Sequence, residues 1–79
     1  MVDEEELRQE NKKIRYLRII VDLSLHEIGQ GKLTLEQVYA LMEGVRKLAL
    51  RLFPDKEEEF DLIYGSRFQR VVREYYYIQ

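Results

Sequence analysis

The chain of 79 residues contains no cysteine, only one histidine and one proline, and four glycines. Without cysteine it can form neither disulfides nor thiolate metal sites, and it has no cysteine nucleophile. No stretch approaches the roughly 20 consecutive apolar residues of a transmembrane helix. The acidic start, Met1-Val2-Asp3-Glu4-Glu5-Glu6, differs from the basic start of a secretory signal. We therefore expect a cytoplasmic protein without a membrane span.

What the chain does contain is typical of a small globular protein. Apolar residues make up 46% of it and charged residues 35%, which places it outside the disordered class. The length allows one domain over residues 1–79, with 1–6 as the segment most prone to fraying. A core of this size is marginal alone and is usually reinforced by disulfides, a metal or oligomerisation. With disulfides excluded, self-association becomes the main expectation.

Three short segments interrupt an otherwise helical pattern: Gly29-Gln30-Gly31-Lys32, Phe53-Pro54-Asp55 and Gly65-Ser66. A glycine can supply the left-handed residue that closes a helix, and proline disfavours helix at the residue before it. The pattern of a capping box follows the first break, at Thr34 with Gln37, and begins at the last residue of the other two, at Asp55 with Glu58 and at Ser66 with Gln69. These signals predict four helices, at about 4–28, 35–52, 56–64 and 67–77. The alternative is that the last two form one helix kinked at Gly65.

The first helix has two apolar stripes. One consists of Leu7, Ile14, Leu17, Val21, Leu25 and Ile28, and the other of Tyr16, Ile19, Ile20 and Leu23. A helix with two apolar faces must be covered on two sides. We therefore expect an all-α, compact bundle of four helices: a long central first helix, an antiparallel second helix and two short C-terminal helices. The last two would pack through Phe60, Ile63, Tyr64, Phe68, Val71, Val72 and Tyr75.

The predicted lengths also differ. The first helix would run about 37 Å and the second about 27 Å, so the N-terminal two turns should extend beyond the second helix. Three consecutive rings, Tyr75-Tyr76-Tyr77, cannot all face one core, and tyrosine is enriched at interfaces. The function that these features favour is non-enzymatic: a helical protein–protein interaction module, with a homodimer as the favoured assembly and another protein as an open alternative. Its expected contact residues are Leu7, Ile14, Tyr16, Ile19, Leu23, Tyr76 and Tyr77.

The alternative function is a small regulator that binds nucleic acid through a helix–turn–helix. Arg67, Arg70 and Arg73 follow the Gly65-Ser66 break along the last predicted helix, where a recognition helix would lie. The net charge of −2 and the wide angular spread of these arginines argue against it.

Catalysis has little support in the sequence. Asp22 and His26 lie one turn apart but lack the further ligands of a metal site, and a surface histidine explains them better. The two serines do not lie in a nucleophile motif. No catalytic residue, metal or cofactor is therefore predicted.

Overall fold

A computed structural model, which describes residues 3–77, shows three helices and no strand in that range. Helix α1 spans Glu4–Gly29, and helix α2 spans Leu35–Leu52. Helix α3 spans 57–77 without interruption, in four consecutive segments. They are α-helical at Glu57–Phe60, π-helical at Asp61–Gly65, α-helical at Ser66–Val72 and π-helical at Arg73–Tyr77. The all-helical prediction is thus confirmed, and the bounds of the first two helices agree with it to within a residue.

The turn between α1 and α2 follows the predicted chemistry. Gly31 has φ +72°, the left-handed conformation that glycine adopts without steric cost. The capping box is present, because Gln37 N donates to Thr34 Oγ1 at 3.1 Å and Thr34 N donates to Gln37 Oε1 at 2.9 Å. These bonds satisfy amide groups that the first helical turn leaves free. At the other end of α1, Asp3 Oδ1 accepts from Glu6 N at 2.9 Å.

The prediction of two separate C-terminal helices is wrong, and the single helix of the alternative is present; the kink at Gly65 that the alternative included is not seen in the backbone angles of that residue. Gly65 has φ −58° and ψ −42°, which are ordinary helical values. The Ser66 hydroxyl does not cap a new helix but donates back to the Leu62 carbonyl at 2.9 Å, a bond that serine makes inside helices. The predicted Asp55 cap is also absent, since Lys56 occupies the N-cap position and no side chain caps it.

The π-helical turn at Asp61–Gly65 changes which residues of α3 face the core. On a regular helix Phe60 and Phe68 would lie about 80° apart. A π turn advances by fewer degrees per residue, so both phenylalanines reach the core and are buried. Ile63 was predicted to face inward, but the same turn leaves it exposed. Tyr75, predicted inward as well, is also exposed.

The three helices pack as an up-down-up bundle. Contacts between Asp22 and Arg67, and between Gly29 and Tyr75, show that α3 runs parallel to α1. Contacts of α2 with α3 run in the opposite sense, from Tyr39 against Tyr77 to Arg46 against Asp61. The buried core draws on all three helices and consists of Leu17, Val21, Ile28, Val38, Val45, Ala49, Phe60, Phe68 and Val72.

The described part of the chain is elongated, with extents of 51 × 20 × 16 Å. The cause is α1, whose 26 residues run about 39 Å, against about 27 Å for α2. Every described residue before Leu17 is exposed, so the first part of α1 projects beyond the other two helices. Over residues 3–77, none of the helices is long and apolar enough to cross a membrane.

Candidate interaction surfaces

The second apolar stripe of α1 is not covered within the chain. Tyr16, Ile19 and Leu23 are between 49% and 61% exposed, whereas Ile20 is half-buried. At 100° per residue, Asp22 and the stripe fall on opposite flanks of the buried line through Leu17 and Val21. Asp22 faces α3. The stripe therefore lies on the flank of α1 that adjoins α2.

Helix α2 contributes a glycine to the same side of the molecule. Arg46 and Tyr39 mark the flank of α2 that faces α3, and Gly44 lies on the opposite flank. Gly44 is exposed, and a Cβ added there would meet nothing within 4 Å. Because α1 and α2 are antiparallel, Gly44 lies within about one turn of the height of Leu23. We call Tyr16, Ile19, Leu23 and Gly44 the side face.

Gly44 is costly where it stands. A glycine inside a helix destabilises it by about 1 kcal/mol relative to alanine, and nothing within the described chain needs the missing side chain. Sequence reasoning did not single it out. The available signal was a lone glycine in the middle of an amphipathic helix.

A second apolar surface lies where α1 projects from the bundle. Leu7 is 55% exposed and Ile14 42% exposed, although both continue the buried stripe of Leu17 and Val21. Next to Ile14 is a groove of about 310 Å³ between the helices. Its lining is mainly apolar and consists of Glu10, Ile14, Leu17, Ala49, Phe53, Lys56, Glu59, Phe60, Ile63 and Tyr64. We call this the end groove, and residues 4–9 of α1, which do not line it, the projecting segment.

The C-terminal tyrosines behave differently from one another. Tyr76 is half-buried and its hydroxyl donates to the Leu33 carbonyl at 2.8 Å, so it packs within its own chain. Tyr77 is exposed, and its hydroxyl lies 3.3 Å from that of Tyr39. This hydrogen bond raises the pKa of Tyr77 above its ordinary value. The predicted contact residues therefore divide into the side face, the projecting segment with its groove, and two tyrosines bonded in cis.

The residues of the nucleic-acid alternative are exposed but lack the predicted setting. Arg67 lies 3.8 Å from Asp22, and Arg70 and Arg73 are also exposed. A helix–turn–helix needs a turn at Gly65-Ser66, where the structure has continuous helix. Binding of nucleic acid by these arginines therefore stays a prediction, and the turn on which that prediction was based is replaced by helix.

Asp22 and His26 do not contact each other as a catalytic pair would. His26 Nε2 lies 3.0 Å from Gln30 Nε2, and Asp22 faces Arg67. Within residues 3–77, no three or more metal-ligating side chains group together.

A polar contact that the sequence did not reveal joins two helices of the bundle. Arg46 Nε donates to Asp61 Oδ1 at 2.9 Å, and a terminal guanidinium nitrogen of Arg46 donates to Asp61 Oδ2 at 3.0 Å. Arg46 also pairs with Glu57. The hydrogen bonds from Arg46 lower the pKa of Asp61 below its ordinary value. This bidentate pair joins α2 to α3.

No protein-family model, curated protein or solved structure matches the chain.

Proposed function

We propose that this protein is a non-enzymatic helical interaction module that self-associates, with the side face as its dimer interface. The observation that carries the proposal is the row of Tyr16, Ile19 and Leu23, three large apolar side chains about half exposed or more on one flank of one helix. Single exposed apolar side chains are common on monomers, but a contiguous patch marks an interaction site. This one lies on a regular helix, which is rigid.

The position of Gly44 favours a helix as the partner element that covers the side face. Its missing side chain lowers the surface beside Leu23, and small residues let helix backbones approach closely. A second copy supplies a matching helix, and two-fold pairing of one patch with itself is the commonest assembly of soluble proteins. The size of the chain adds a reason to associate, since a bundle this small gains stability when it buries a further face.

The proposal is tested by Leu23→Glu, with Leu62→Glu as the matched control. Leu62 is 76% exposed and lies on α3, outside the side face. Sedimentation between about 1 and 500 µM should show the Leu62→Glu chain associating like the wild type. The Leu23→Glu chain should need concentrations at least tenfold higher than the wild type to associate through the side face, because a carboxylate would have to be buried unpaired. Equal behaviour of the two variants would contradict the side face as an interface.

Gly44→Ala gives a second and opposite readout. Alanine at an exposed helical position should stabilise the isolated chain by about 0.5 to 1 kcal/mol. If a second helix approaches Gly44 closely, the added methyl group should weaken association while the monomer becomes more stable. Thermal unfolding at low concentration and sedimentation at high concentration measure the two effects separately. Association unchanged in Gly44→Ala would show that no helix packs closely on this residue.

A further inference from the structure

The charges of α1 are separated along its first half. Asp3, Glu4, Glu5 and Glu6 are acidic, and Lys12, Lys13, Arg15 and Arg18 are basic. Acidic residues at a helix start are favoured by the helix dipole, but the dipole gives no reason for a basic cluster three turns later. Among the described residues, Arg8 with Glu5 at 3.6 Å is the only salt bridge of this segment. The four basic residues of the cluster therefore have no carboxylate within salt-bridge distance in the described chain.

The apolar stripe of α1 passes through the same segment. Leu7 and Ile14 are seven residues apart, the repeat of helices that pack side by side, and both are exposed. Glu4 and Arg18 fall on one flank of this stripe, and Glu6 and Lys13 fall on the other. Each flank thus carries an acidic residue near the N-terminus and a basic residue further along.

We infer that residues 4–18 of α1, which include the projecting segment, pair antiparallel with the same residues of a second copy, so that the projecting segment of each copy fills the end groove of the other. In this arrangement Leu7 of each copy lies opposite Ile14 of the other, beside Phe60 and Ile63 of the groove. The groove volume of about 310 Å³ is ample for a leucine side chain, since cavities of about 150 Å³ hold benzene. The contact is reciprocal, so one two-fold axis closes it and both grooves are filled.

The charge pattern selects the antiparallel direction. Residues on the same flank face each other in an antiparallel helix pair, so Glu4 of one copy comes near Arg18 of the other, and Glu6 near Lys13. A parallel pair would set acidic residues beside acidic ones and basic beside basic along its length, which is destabilising, whereas the antiparallel pair brings the two copies of Glu10 together at its centre. Glu5 and Lys12 lie on the far side of the helix from Leu7 and should not take part.

This interface is separate from the side face, so experiments can contradict either proposed interface without contradicting the other. In the Leu23→Glu background, where the side face is disabled, the chain should still form a dimer through the projecting segment. Adding Glu4→Lys and Glu6→Lys, or adding Lys13→Glu and Arg18→Glu, should raise the dissociation constant of that dimer about tenfold or more. Combining all four changes should restore the dimer, because the complementarity is then inverted but intact.

The control carries equal charge changes on the far side of the same helix, Glu5→Lys with Lys12→Glu, and should leave the dimer unchanged. A Leu23→Glu chain that is monomeric at 500 µM would overturn this inference without touching the proposed function. An all-four variant that stays monomeric would also overturn it. If Lys13→Glu with Arg18→Glu abolishes binding of an oligonucleotide while association stays as before, the basic cluster serves nucleic acid instead, and the inference fails.

Direction can be read by cross-linking, because the chain has no cysteine of its own. Glu10→Cys lies at the centre of the antiparallel pair and should oxidise readily to a covalent dimer. Leu7→Cys should not, since the two copies of residue 7 would be about 10 Å apart along the helix axis, beyond the reach of a disulfide. Efficient cross-linking of both variants would indicate a parallel pair and would overturn the assignment.

Discussion

The two ends of the bundle differ in how completely the chain covers itself. At the end that holds the α1–α2 turn, Thr34 caps α2, Tyr76 donates to the Leu33 carbonyl, and the Tyr75 ring lies against Gly29. Ile28 is fully buried there. At the opposite end α1 projects past its partners, and Leu7 and Ile14 remain exposed. We call these the covered end and the open end.

The difference shows that one stripe can serve two purposes along its length. Ile14 and Ile28 belong to the same stripe of α1 and are two heptads apart, yet only Ile28 belongs to the buried core. The spacing of the stripe therefore shows only that this face of α1 can pack against other helices. The lengths of α2 and α3 decide which part of the face is covered within the chain. Beyond that point a second molecule can supply it.

The largest expected effect comes from truncating the same residue type at the two ends. Ile28→Ala should destabilise the monomer by about 2 to 5 kcal/mol, because it removes buried methyl groups and leaves a cavity. Ile14→Ala should change monomer stability by only about 0.5 kcal/mol. Denaturant unfolding of both variants at low micromolar concentration provides the comparison. Similar losses of stability in the two variants would mean that Ile14 is as well packed as Ile28 and that the chain covers both ends equally.

A smaller effect is expected at the capping box of the covered end. Thr34→Ala removes the oxygen that accepts from Gln37 N and should cost about 1 kcal/mol. Thr34→Ser keeps this oxygen and should lie close to the wild type. A chemical-denaturation series on the three chains checks the order. If alanine and serine destabilised the chain equally, the methyl group of Thr34 and not its hydroxyl oxygen would be what stabilises the helix start.

The sequence predicted the α1–α2 part of the covered end well because its signals are local, whereas Tyr75 at the same end was wrongly predicted to face inward. A capping box, a glycine in the turn and a period of 3.6 act over a few residues, and α1, α2 and the turn between them follow from these. The exposure of Tyr16, Ile19 and Leu23 was also anticipated in part, since two stripes on one helix cannot both be covered by a single neighbour.

The third helix could not be predicted in the same way because its course depends on packing. Gly65-Ser66 resembles a break, but burial of Phe60 and Phe68 on either side holds the backbone helical through it. The π-helical turn that aligns these two rings has no sequence signature of its own. Tertiary packing outweighs local propensity here, and for the same reason the pairing of Arg46 with Asp61 was not foreseen.

The smallest expected effect concerns pH and the contact that ties α3 to α2 towards the open end. Hydrogen bonds from Arg46 lower the pKa of Asp61 in the folded chain, so the folded state favours the charged carboxylate more than the unfolded state does. The contribution of the pair is present above the unfolded pKa of about 3.9, and it is lost as the pH falls through the lower folded pKa. Asp61→Asn should therefore lower the melting temperature at pH 7 and lower it less as the pH falls towards 2, because the stabilising contribution of the wild-type carboxylate is lost as it takes up a proton. Asp55→Asn, a change of the same kind in the loop before α3, controls for the loss of one charge. A difference between wild type and Asp61→Asn that stayed constant from pH 7 to pH 2 would show that Asp61 acts through its shape and not through its charge.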